Sequence, residues 1–161
     1  MNISLEKLQH SFFKKPLVVG GVAMEYYGMR KAGKDIDLVV SREDFVLLLK
    51  KYPERVKDLW GDIGVCPFDF EIWNTINYDA YEYLCNGATD EGNVFVISLE
   101  KLLYMKALAM EKEKYARDTV LVVKEILKRK SPTYEVLKKA NDQLFQNIEN
   151  ITFIEKTGPA E

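Results

Sequence analysis

The stretch DIDLVV, residues 35–40, sets two aspartates inside an aliphatic run. Successive side chains of a strand point to opposite faces, so Asp35 and Asp37 share one face with their backbones roughly 7 Å apart. Carboxylates that close repel each other, and burying either one unpaired costs on the order of several kcal/mol. A positive group between them removes the conflict: an arginine or lysine, a proton, or a divalent cation. A hard ion such as Mg²⁺ takes oxygen ligands, keeps several waters and binds through a few carboxylates plus substrate phosphates. The pair is therefore a candidate metal and nucleotide site. The competing reading is a solvated strand end, salt-bridged to nearby bases such as Arg30 and Lys34.

Two other features bear on that choice. Upstream, LVVGG reads as a short buried strand ending at Gly20-Gly21, with a short helix from Val22 to about Tyr27. Glycines at such a turn let a phosphate approach the backbone, and the free N–H groups of a helix start favour an anion. A plain strand-to-helix turn explains the same pair. Downstream, VCPFDFEIW reads as a strand in which Asp69 and Glu71 alternate with Phe68, Phe70 and Ile72. It offers a third carboxylate to the same site, or else a half-exposed strand with its polar residues outward.

The rest of the chain sorts into helices and short strands. Ser4 caps an expected first helix carrying Leu5, Leu8 and Phe12, which Pro16 stops. Gly28 and Gly33 bracket a basic loop with Arg30, Lys31 and Lys34. Ser41, three residues ahead of an acid, starts a helix with Phe45, Leu48, Leu49 and Tyr52 on one face, and Pro53 ends it. Residues 54–64 read as irregular, and YEYLCNGATDEGNVFVIS as two strands around a loop. From Ser98 to Lys130 no glycine or proline occurs. Two helices are expected there, with Leu99, Leu103, Ala107 and Met110 on the first and Ala116, Val120, Val123 and Leu127 on the second. Ser131-Pro132 starts a last helix to about Ile148. The fold class is α+β: a small mixed sheet with flanking helices in a core over residues 1–97, then a helical lobe over 98–161.

Strand, Gly-Gly, short helix, thirteen intervening residues, Asp-x-Asp and a further acidic strand together resemble the nucleotidyltransferase superfamily, whose fold is polymerase-beta-like. The resemblance covers roughly residues 17–72. Within it, GGVAMEYYGMRKAGKDIDLVV looks most like the AbiEii-type abortive-infection toxins and related uncharacterised or drug-modifying enzymes. LEKLLYMKALA followed by KYARD resembles the segment where that group carries a lysine and then a basic-Asp pair. The resemblance implies transfer of a nucleoside monophosphate from an NTP, ATP among the candidates, to an unidentified acceptor in RNA, protein or a small molecule, with release of pyrophosphate. It implies two Mg²⁺ ions, or Mn²⁺, held by Asp35, Asp37 and a third acid, with Asp69 favoured over Glu71 because aspartate is commoner there. Gly20 and Gly21 would cradle phosphate, Lys106 would contact it, Asp118 would lie near, and Arg30 or Lys34 would assist or else serve as solvated loop bases. A different class of function is an inactive partner protein of the same fold, as in toxin–antitoxin pairs.

Composition narrows the classes. The 161 residues are 47% hydrophobic with a formal charge of -2, enough for one core and without the basic excess of a nucleic-acid binder. Cys66 and Cys85 lack metal-ligand spacing and read as free thiols in a reducing cytoplasm. His10 is the single histidine, which argues against a histidine relay or zinc site. No apolar run approaches the roughly 20 residues of a membrane span, and residues 1–15 lack a signal-peptide core. Tyr78, Tyr81 and Tyr83 stack on a base or pack within strands, and Trp60 and Trp73 read as core or rim.

Overall fold

A computed structural model of the protein describes residues 3–59, 61–130 and 134–146. Two compact units are present, 1–126 and 127–161, and the change in composition at Ser98 falls inside the first. The first unit holds a seven-stranded mixed sheet with helices, an α+β arrangement.

Its centre grows from the aliphatic runs. Strand β1 (Leu17–Val18) lies antiparallel to β2 (Ile36–Val39) and parallel to β9 (Phe95–Val96). Strand β2 runs parallel to β5 (Phe70–Trp73), pairing Asp37 with Glu71 and Leu38 with Ile72. Strands β3 (Val56–Leu59) and β4 (Asp62–Val65) extend one side, and β8 (Thr89–Asp90) the other, in the order β3-β4-β5-β2-β1-β9-β8. A separate hairpin joins β6 (Thr75–Ile76) to β7 (Asp79–Ala80). Leu17, Val18, Leu38, Val39, Ile72 and Val96 are fully buried, as strands covered on both faces require.

Helix α1 (Gly20–Tyr26) follows β1 at once, two residues earlier than the sequence suggests. Helix α2 (Arg42–Lys51) forms as expected: the Ser41 hydroxyl accepts the Asp44 amide, and Phe45 and Leu48 are buried. Helices α4 (Leu99–Leu108) and α5 (Glu113–Lys130) flank the link in EKEKY. In the second unit, α6 (Tyr134–Gln146) exposes Val136, Leu137 and Leu144. Ser131-Pro132 and Trp60 lie outside the described residues.

Several expectations fail, for local reasons. Residues 5–8 make only a 3-10 turn, with Gln9 in the left-handed region and no side-chain bond from Ser4. Residues 54–64 are the β3–β4 hairpin, its turn set by Gly61 at φ +90. VCPFDFEIW is not one strand: β4 ends at Val65, Phe68 turns the chain at φ +58, and β5 begins at Phe70. Residues 81–85 form a short helix, α3 (Tyr81–Cys85), not a strand. On α4 and α5 the buried side chains are Leu99, Leu102, Lys106, Asp118 and Val122, while Val120, Val123 and Leu127 are exposed. Among the described residues no helix is long and apolar enough to cross a membrane, and both cysteines are free.

Candidate functional site

At the end of β1 the chain turns into α1 through Gly20, whose φ of +59 suits only glycine at low strain. A second constraint is steric. A Cβ on Gly20 would fall 1.7 Å from Asp37 Oδ2, so the absent side chain is the space the carboxylate occupies. The Gly21 amide donates to that oxygen at 3.2 Å, whereas a Cβ on Gly21 would meet nothing closer than 3.5 Å. The glycine pair thus serves the aspartate directly.

These residues line a cavity of about 660 Å³, within the range of small-molecule sites. Asp35, Asp37, Asp62, Glu71 and Glu111 are its acidic residues, and Arg30, Lys31, Lys106, Lys112 and Lys114 its cationic ones, with Arg30 and Lys106 close enough to act on the Asp37 charge. Leu59, Trp73, Ile76, Met105, Leu108 and Ala109 give it apolar wall. Parallel pairing of β2 with β5 sets Glu71 directly beside Asp37. Burial, with the charges of Glu71 and Asp35 adding to it and the Gly21 amide opposing, pushes Asp37 up to about 6. Burial and then the Asp35 charge also raise Glu71.

Glu71, not Asp69, joins Asp35 and Asp37 in the cavity lining. Asp69 precedes β5 in the turn made by Phe68, so strand alternation does not reach it. Its carbonyl still accepts the Ile36 amide at 2.8 Å, but its side chain turns to Lys7, with Oδ2 at 3.0 Å from Nζ and Oδ1 buried without a partner. Lys34 is exposed and also outside the cavity lining.

Arg30 and Lys106 also belong to a second cluster. Asp118 accepts Arg30 Nε at 2.7 Å and Arg30 Nη2 at 2.8 Å, and its Oδ2 lies 2.9 Å from Lys106 Nζ. Both Asp118 and Lys106 are buried. Burial opposes ionisation of Asp118, yet the hydrogen bonds from Arg30 and Lys106 hold it down at about 2. Burial pulls the Lys106 ammonium below the usual lysine range, against the pull of Asp118. The ammonium also lies 4.8 Å from the centre of the Tyr115 ring. Asp118 itself does not line the cavity; Arg30 and Lys106 do.

Of the sequence candidates, Gly20, Gly21, Arg30, Asp35, Asp37, Glu71 and Lys106 meet in one cavity. Lys31, Lys112, Lys114 and Tyr115 join them without having been singled out for the site. Lys31 lies in the loop before DIDLVV and Lys112 in the link before α5, while Lys114 and Tyr115 open the quoted KYARD segment. Tyr78, 99% exposed, and Tyr83 lie outside this lining, and Trp73 lies within it. Among the described residues, no three or more His, Cys, Asp or Glu side chains are gathered into a ready metal cage. Comparison with protein-family models, with curated proteins and with solved structures finds no match.

Proposed function

We propose that the protein is a nucleotidyltransferase-fold enzyme that moves a nucleoside monophosphate from an NTP to an acceptor. The observation that carries this reading is the gathering of Asp35, Asp37 and Glu71 with Arg30 and Lys106 in one cavity, with Gly20 shaped around Asp37. The donor set fits Mg²⁺ or Mn²⁺: it is all oxygen, it is partly desolvated, and it holds a carboxyl at about 6 that a cation would favour in its ionised form. An incomplete cage suits an ion that keeps waters and takes its remaining ligands from phosphates.

In this reading Asp37 and Glu71, paired in register, would hold the cation, with waters and substrate phosphates completing its ligands and Asp35 adding negative charge nearby. A divalent ion held there would supply charge neutralisation at the phosphoryl group and would make the attacking hydroxyl more acidic. Arg30 and Lys106 take the phosphate oxygens. Asp37 stays fixed by the Gly21 amide, so the site is organised before substrate arrives. The apolar wall of Trp73, Met105 and Leu108 excludes water from one side and accepts a planar or apolar group.

Calorimetric titration of each NTP with Mg²⁺, repeated in EDTA and with Asp37→Asn, tests the proposal. Binding that needs Mg²⁺ and disappears in the folded variant supports it. Absence of binding with all four nucleotides overturns it and turns attention to a partner-protein role.

A further inference from the structure

Buried Asp118 and Lys106 and half-buried Arg30 form a group in which one carboxylate contacts two cations, with Asp37 the further charge acting on both. The Arg30 fork alone completes a structural salt bridge with Asp118, and a second cation on a side chain only 7% exposed is an expensive addition to one. The arrangement is also directional. Both Asp118 oxygens are taken by the two cations, Asp118 does not itself line the cavity, and Arg30 offers its Nε and Nη2 as a planar fork, which fixes the guanidinium plane. A further bond from Arg30 Nη1 to the Lys31 carbonyl, at 2.9 Å, holds the same plane from the other side. The Tyr115 ring closes over the Lys106 ammonium.

We infer that Asp118 is a positioning residue that never meets substrate: it locks Arg30 and Lys106 into a rigid two-cation seat on the cavity wall, and that seat receives a polyphosphate. The nucleotide as source of that polyphosphate rests on the function proposed above. The seat itself does not, because it contains no metal ligand. It should therefore hold inorganic triphosphate without any divalent cation, whereas the acidic residues should repel it.

Titration of the full chain with inorganic triphosphate in EDTA tests this, at a temperature where circular dichroism shows every variant folded. The wild type should bind. Asp118→Asn and Lys106→Met should each lower affinity roughly tenfold or more, and the double variant should fall no further than the weaker single one, since both break the same seat. Asp37→Asn should bind triphosphate at least as well as the wild type, although it loses Mg²⁺-dependent NTP binding. If Asp118→Asn does not fold, Arg30→Lys serves instead: it keeps the charge and loses the fork, and affinity should again drop roughly tenfold. Unchanged affinity in Asp118→Asn or Arg30→Lys, with only the melting temperature lowered, would make the cluster a structural bridge and overturn the inference. No triphosphate binding by the wild type in EDTA would overturn it as well, and would leave the Mg²⁺-dependent reading standing if NTPs still bind.

Discussion

Asp44 and Asp37 both sit within the first unit, and the structure treats them in opposite ways. Asp44 is fully buried and fully answered: Ser41 Oγ donates at 2.6 Å, the Phe13 amide at 2.9 Å, the Lys14 amide at 3.3 Å, and His10 Nε2 lies at 2.8 Å. Burial works against its charge, but these donors prevail and hold the carboxyl below its usual range. Asp37 accepts the Gly21 amide and is hydrogen-bonded to the Glu71 carboxyl, with Lys106 acting on its charge, and burial still wins, lifting it to about 6. A carboxylate whose needs are met is fastening the chain; one left wanting a cation inside a cavity is available to a ligand.

The largest effect should come from Asp44. Asp44→Ala orphans several donors that tie residues 10–14 to α2, and should cost about 3–5 kcal/mol in urea unfolding. A cost under about 1 kcal/mol would erase the distinction between the two aspartates. The folded pKa of Asp44 is depressed, so its contribution is present above the ordinary carboxylate value near 3.8 and fades as the pH falls through the folded value.

Next in size is Gly20→Ala, which meets both the left-handed backbone and the Asp37 carboxylate and should lose about 2–4 kcal/mol. Gly21→Ala, with ordinary contacts only, should stay within about 1 kcal/mol. Equal losses would mean that the turn, rather than the space for Asp37, selects the glycines.

Asp37→Asn should act in the opposite direction. The folded pKa is raised, so the acid form of Asp37 favours folding fully below about pH 3.8, and that advantage disappears as the pH rises through about 6. At pH 7.5 the variant should be more stable than wild type by about 1–3 kcal/mol, and at pH 3.5 the gain should be gone. A destabilised variant at pH 7.5 would place Asp37 with Asp44 as a fastening residue. Smaller still is the response to Mg²⁺: at tenfold over its dissociation constant the wild type should gain about 1.4 kcal/mol, and Asp37→Asn should gain none in thermal unfolding. The smallest effect belongs to Arg117→Ala, which removes an exposed pair with Glu113 on α5 and should change stability by less than about 0.5 kcal/mol.

What was legible in the chain follows from how local each signal is. The aliphatic strand before Gly20, Asp37 within the DIDLVV strand and the Ser41 cap depend on neighbours a few residues away, and all three are present, although α1 begins at Gly20 itself and Asp35 falls just before β2. The hairpin over residues 56–65 was hidden because its outer strand is exposed and polar, without the apolar alternation that marks a strand. Asp69 and Glu71 looked equivalent because alternation was carried through Pro67 and Phe68, where the backbone turns instead. The apolar stripe of α5 misled in another way. Val120, Val123 and Leu127 are spaced like a core face, but the buried face follows Asp118 and Val122, because satisfying Arg30 and Lys106 outweighs covering a valine. Ion pairs between residues 88 positions apart leave no trace in a hydrophobic pattern.

The partnership of Asp37 with Glu71 is set by strand register, and a long excursion through α2 and the β3–β4 hairpin separates the two residues in the chain. That excursion is free to lengthen or shorten wherever its loops face solvent, because nothing in it dictates which residues of β2 and β5 meet. Gain or loss of a single residue between Phe68 and Glu71 is another matter: it would bring Phe70 or Ile72 opposite Asp37 and turn the glutamate to the other face. Insertions and deletions should therefore be tolerated in the link after α2 and at the turn of Gly61, and purged from the paired strands and from the window before Glu71, a footprint by which such a site can be traced through chains that share little else.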